Sequence, residues 1–156
     1  VDVKPLTADF AELHETGRVS LYCVEAAGDH TLTCVIIYCW TGGAQDAKAA
    51  ARTSDLIRIV FLELKAQPDG PQYIMGDLNA TVPDLAPLQM ALEETDDEQF
   101  HAWHGIGAMA DLWGGIPNEP TCRADNAKRA TRRDYVIANT VGLGLIEKFE
   151  VTWDEI

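Results

Sequence analysis

Apolar and polar positions change period several times along this chain, and each change marks an element. Residues 18–26 and 31–39 are rich in β-branched and aromatic side chains and flank Ala27-Gly28-Asp29-His30. That pattern predicts two antiparallel strands joined by a tight turn. The second run is apolar at consecutive positions, Val35, Ile36 and Ile37, so it belongs at the centre of a sheet. Over 44–66 the period lengthens, and Ile57, Val60, Phe61 and Leu64 form a stripe at helical spacing. Asp46 suits the positive end of that helix, and Pro68-Asp69-Gly70-Pro71 ends it. Next come a buried strand at 72–76 and a short helix at 84–94 with Leu85, Leu88 and Leu92 inward. Thr121-Cys122 reads as a short strand, and 134–138 and 145–153 as longer ones. Residues 1–17 read as irregular.

The stretch from Gln99 to Asn118 carries His101, Trp103, His104 and Trp113. Two histidines at i, i+3 invite a metal, but no carboxylate has matching spacing, which favours a Trp-rich loop covering the sheet. No repeat, linker or low-complexity tract divides the chain, so residues 1–156 read as a single domain. At 47% hydrophobic and 24% charged residues it has a globular composition, not a disordered one. No apolar run approaches the ~20 residues a membrane helix needs.

The candidate chemistry starts at Gly76-Asp77-Leu78-Asn79, which closes the apolar run Tyr73-Ile74-Met75. A carboxylate and an amide two apart at a strand end point the same way, because side chains alternate faces. One anionic oxygen ligand beside one neutral amide suits hydrated Mg²⁺, a phosphate or an attacking water. Two further segments accompany it. Thr33 to Tyr38 is a β-branched strand ending in tyrosine, followed by Thr41-Gly42-Gly43 and the long helix. Thr131-Arg132-Arg133-Asp134-Tyr135-Val136-Ile137 places an acid at the start of another apolar strand.

Tyrosine-ended strand, helix, Gly-Asp-x-Asn strand, variable loops and Arg-x-Asp-Tyr strand, in that order, resemble the endonuclease/exonuclease/phosphatase superfamily. One departure is Arg133, where the family usually has an aliphatic residue. The family's early Asn and Gln-Glu elements and its final Ser-Asp-His element are also missing from these residues. The chain therefore reads as part of a longer protein, or as a degenerate domain that lost its ends.

The resemblance implies a deoxyribonuclease-I-like fold, a four-layer α/β/β/α sandwich of which this chain supplies part. It implies a phosphoesterase or nuclease dependent on Mg²⁺ or Mn²⁺, acting on phosphodiester or phosphomonoester bonds. Asp77 and Asn79 would be both catalytic and metal-binding, Asp77 orienting and deprotonating water and Asn79 holding a phosphate oxygen or that water. Tyr38 would donate to a phosphate oxygen, although a strand tyrosine packed on the core is the competing reading. Asp134 would orient the family's terminal histidine, with a structural salt bridge to a neighbouring arginine as its rival. A decayed relative serving as a binding scaffold and a retroelement endonuclease are the alternative functions.

Charge complicates the partner. A net charge of −13 argues against a broad basic nucleic-acid face. Basic residues gather instead at Arg123, Lys128, Arg129, Arg132 and Arg133, just before Asp134. Lys128, Arg129 and Arg132 are the candidates for phosphate attraction, against a merely solvated loop. The expected partner is a phosphate ester, nucleic acid among the candidates, and the expected state is a monomer. Cys23, Cys34, Cys39 and Cys122 lack metal spacing, and three lie in strand-like runs where reduced cysteine packs well. This leans toward a reducing compartment, cytoplasm or nucleus.

Overall fold

A computed structural model describes residues 3–26, 30–43, 45–92, 109–112, 119–123 and 128–151. Residues 27–29 of the predicted turn lie outside the described residues, as do His101, Trp103, His104 and Trp113.

The described residues contain one five-stranded mixed sheet in the order β1-β2-β3-β5-β4. Strand β1 (Val19–Ala26) pairs antiparallel with β2 (His30–Tyr38), and β2 pairs parallel with β3 (Gln72–Asp77). Strand β5 (Asp134–Asn139) runs antiparallel to both β3 and the short β4 (Met109–Asp111). Strand β2, which carries Val35, Ile36 and Ile37, is interior, as that run requires. In the hairpin Cys23 faces Thr33, and Cys34 faces Tyr22. All four cysteines are free thiols.

Helix α2 (Ala47–Ala66) makes the crossover between the parallel strands. Asp46 caps it, its Oδ1 accepting from the Lys48 amide at 2.8 Å. Its buried stripe is Leu56, Ile57, Val60, Phe61 and Leu64, joined by Leu85 and Leu88 from the segment of α3 (Ala86–Leu92). These pack on Val19, Leu21, Val35, Ile37, Ile74 and Ile137, so the helices cover one face of the sheet.

Three segments differ from the sequence reading. Residues Ala8–Glu15 form a helix, α1, where irregular chain was expected. Its only fully buried residue is Phe10, and its start is held from afar. Glu63 on α2 accepts from the amides of Leu6 and Thr7 at 2.8 and 2.9 Å and from the Thr7 hydroxyl at 2.6 Å. Gln67 Nε2 donates to the same carboxylate at 2.7 Å, which accounts for a buried glutamate inside an apolar stripe. Residues 145–151, expected as strand, run without a ladder. The Thr121-Cys122 strand reduces to a single bridge, Cys122 to Thr131.

On the opposite face the described residues place only the four-residue helix Thr140–Leu143, whose Gly142 carbonyl accepts from the Tyr73 hydroxyl at 2.7 Å. Tyr22, Val24 and Ile36 stand exposed there, and a shallow apolar trough of about 540 Å³ runs past Tyr73, Met75 and Phe149. One helical layer and one sheet are two of the four layers expected. No described helix is long and apolar enough to cross a membrane.

Candidate active site

Gly76 sets the geometry before any functional group is reached. Its φ is +141°, and a Cβ there would lie 1.9 Å from the Ile37 carbonyl oxygen. Only glycine lets β3 approach β2 this closely one residue before Asp77. The next paired positions are Tyr38 with Asp77, and Asp77 with Asp134. Residues directly opposite across strands share a face. Tyr38, Asp77 and Asp134 therefore form a row across three neighbouring strands, Cα to Cα on the order of 10 Å end to end. Their face is the one opposite the helices, since Val35 and Ile37 occupy the helical side. Tyr38 is 52% exposed, so the core-packing alternative does not describe it.

Asn79 does not point into that row as strand alternation suggested. The ladder ends at Asp77, and Asn79 adopts a left-handed conformation with φ of 51°. Its amide donates to Asp77 Oδ1 at 2.8 Å, which fixes the carboxylate. Its own side chain is buried: Nδ2 donates to the Cys39 carbonyl at 3.2 Å, and Oδ1 accepts from Arg133 Nη1 at 3.0 Å. Gly43 closes the loop from the other side, because a Cβ there would meet Ala80 Cβ at 2.9 Å.

The basic residues divide. Arg132 makes a two-pronged pair with Asp111 at 2.6 and 2.7 Å, donates to the Leu112 carbonyl and stacks 4.2 Å over the Tyr135 ring. Its guanidinium is thus committed to holding β4 beside β5. Arg133, which sequence reasoning left out, is the arginine beside Asn79 and Asp77. Lys128 and Arg129 stand exposed in the loop bridged at Cys122 and Thr131. Thr121 Oγ1 accepts from the amides of Arg133 and Asp134 and so fixes this strand entry.

Partial burial pushes the Asp77 carboxyl above the ordinary value of 3.8. The Asn79 amide pulls it back, the Asp134 carboxylate raises it and the Arg133 guanidinium lowers it. Burial likewise carries the Cys39 thiol up to about 12, so it is inert as a nucleophile. Among the described residues no cation lies within ion-pair distance of Asp77 or Asp134. Nor do three or more His, Cys, Asp or Glu side chains gather as a full metal cage. Two adjacent carboxylates still suit Mg²⁺, which keeps several waters and takes one or two protein carboxylates. Asn79 suits it less, since Arg133 already occupies its oxygen.

None of the protein-family models matches the sequence, and no curated protein matches it significantly. Solved structures do match the fold. A D. rerio TDP2 humanized by 14 mutations superposes with a TM-score of 0.53 at 15% identity, over 78% of this chain and 44% of that one. D. rerio TDP2 complexed with single strand DNA product gives 0.50 at 13%, over 78% and 46%. An endonuclease/exonuclease/phosphatase from Beutenbergia cavernae gives 0.48 at 19%, over 87% and 36%. The fold is deoxyribonuclease-I-like, as in the TDP2 structures. The chain spans less than half the length of these deoxyribonuclease-I-like structures. That proportion agrees with one sheet and one helical layer of a four-layer sandwich.

Proposed function

We propose that this chain carries part of the catalytic rim of a divalent-metal-dependent phosphoesterase, hydrolysing phosphodiester or phosphomonoester bonds. The observation that supports it most is the row Tyr38, Asp77 and Asp134, in register across β2, β3 and β5. In open α/β sheets ligands bind outside the carboxyl ends of strands, and Tyr38 and Asp77 close two parallel ones.

Asp77 is the general base and water-orienting group. Its Oδ1 is held by the Asn79 amide, which leaves the other oxygen for water. Asn79 positions Asp77 and anchors Arg133, and does not itself touch phosphate. Tyr38 donates its phenolic proton to a phosphate oxygen, and the Arg133 guanidinium supplies positive charge beside the base. Mg²⁺ or Mn²⁺ would be held by Asp77 and Asp134, and when bound would neutralise charge developing on phosphorus. Nucleic acid is the favoured substrate class, supported by the single strand DNA product bound to one structural neighbour.

The test is metal-dependent hydrolysis of a generic phosphodiester by the complete open reading frame, with and without chelator. Turnover restored by Mg²⁺ supports the reading. A second reading, a non-catalytic scaffold, draws on the commitment of both ends of the Asn79 amide to the protein. It predicts no turnover under any metal.

A further inference from the structure

Past Tyr38, the same end of the sheet opens into a polar cavity of about 280 Å³ bounded by Arg18, Trp40, Lys48 and Arg52. Arg18 immediately precedes β1 and donates from Nη1 to the Tyr38 carbonyl at 3.1 Å. Its guanidinium lies 4.4 Å from the Trp40 ring centre and 5.7 Å from that of Tyr38. Lys48 and Arg52 follow at i, i+4 in the first turns of α2, on one side of the helix. Among the described residues no carboxylate lies within ion-pair distance of these three cations. Asp46, also on the wall, has Oδ1 committed to the Lys48 amide.

This is a local reversal of charge in a chain with 12 basic and 25 acidic residues. Three cations against the single carboxylate of Asp46, on a wall stiffened by cation–π stacking, fit a multiply charged oxyanion such as phosphate. We propose that this cavity is a second phosphate-binding subsite, holding a phosphate of the same substrate whose ester is cleaved at Asp77. The word substrate rests on the phosphoesterase reading; the binding does not. The Tyr38 amide donates to the Arg18 carbonyl at 2.8 Å, and Tyr38 pairs with Asp77, so two strand steps separate Arg18 from Asp77. That is on the order of 10 Å. Such a span suits a substrate with more than one phosphate, either a nucleic-acid strand or a small polyphosphate.

The experiment is binding by the 156-residue chain. A labelled single-stranded DNA oligonucleotide is followed by anisotropy across a salt series, and inorganic pyrophosphate by calorimetry. Wild type, the double variant Lys48→Gln/Arg52→Gln and Lys65→Gln in the last turn of α2 are compared, with all the substituted cations on the helix exterior. The double variant should bind roughly tenfold more weakly, and its log K against log salt should flatten by about 1.4 for DNA. Lys65→Gln, outside the cavity lining, should bind as wild type does. Unchanged affinity and slope in the double variant overturn the subsite. Weakening confined to DNA assigns the phosphate to a nucleic-acid strand, and weakening confined to pyrophosphate assigns it to a small polyphosphate. If the double variant binds weakly but the complete protein never hydrolyses an ester, the subsite stands and the phosphoesterase reading falls.

Discussion

Arg133 Nη1 donates to Asn79 Oδ1 at 3.0 Å, and this ties the strand of Asp134 to the loop that fixes Asp77. Arg133 also lowers the carboxyl of Asp77, so removing it leaves the base harder to ionise. In the complete protein, Arg133→Leu should move the acid limb of the pH–rate profile to higher pH. It should also cost about 1 kcal/mol, because Asn79 loses its donor. An unmoved acid limb would detach Arg133 from the base.

Asp77 itself should show the stability cost of a functional carboxylate. Its pKa is raised above 3.8 in the folded chain, so the native state favours the protonated form. That contribution is fully present below 3.8 and is lost as pH rises through the folded pKa. Asp77→Asn keeps an acceptor for the Asn79 amide and carries no charge. Thermal melts should show it more stable than wild type at pH 8, the difference shrinking toward pH 3.5 on the order of the ordinary carboxylate range. Lower stability at pH 8 would contradict the assignment.

Gly76→Ala places a Cβ 1.9 Å from the Ile37 carbonyl and forces φ of +141° on a side chain that avoids it. The strands must separate at the position before Asp77. Urea unfolding should register a loss of about 3 kcal/mol or more. A loss below ~1 kcal/mol would mean the strands are not in this register.

Glu63→Ala strips the acceptor from Leu6, Thr7 and Gln67 together. The expected cost is about 3 kcal/mol, as for breaking any buried charge network. Amide exchange should accelerate through Ala8–Glu15 first, because α1 buries little else.

The sequence made legible those elements whose periodicity was strong and whose neighbours were local. β2, α2 and β3 are such elements, and so are the three residues of the rim, because strand ends can be read from where apolar runs stop. What escaped depends on distant partners. α1 is held by Glu63, 56 residues beyond Thr7, and no local pattern records that. Residues 145–151 alternate like a strand because Ile146 and Phe149 lie over the apolar trough without entering a ladder. Asn79 was expected beside Asp77 by period 2, but the alternation stops where φ turns positive. The choice between Arg132 and Arg133 was unreadable for a similar reason. Adjacent arginines look alike until Asp111 claims one and Asn79 the other.

The account rests on Asp77 as the group that activates water at the rim of β2, β3 and β5. Its most direct test is the kcat/KM of the complete protein for a Mg²⁺-dependent phosphodiester substrate, wild type against Asp77→Asn. The predicted result is a loss of at least about 100-fold with the folded state retained. Turnover within about threefold of wild type, in a variant whose fold and metal response are intact, would contradict it.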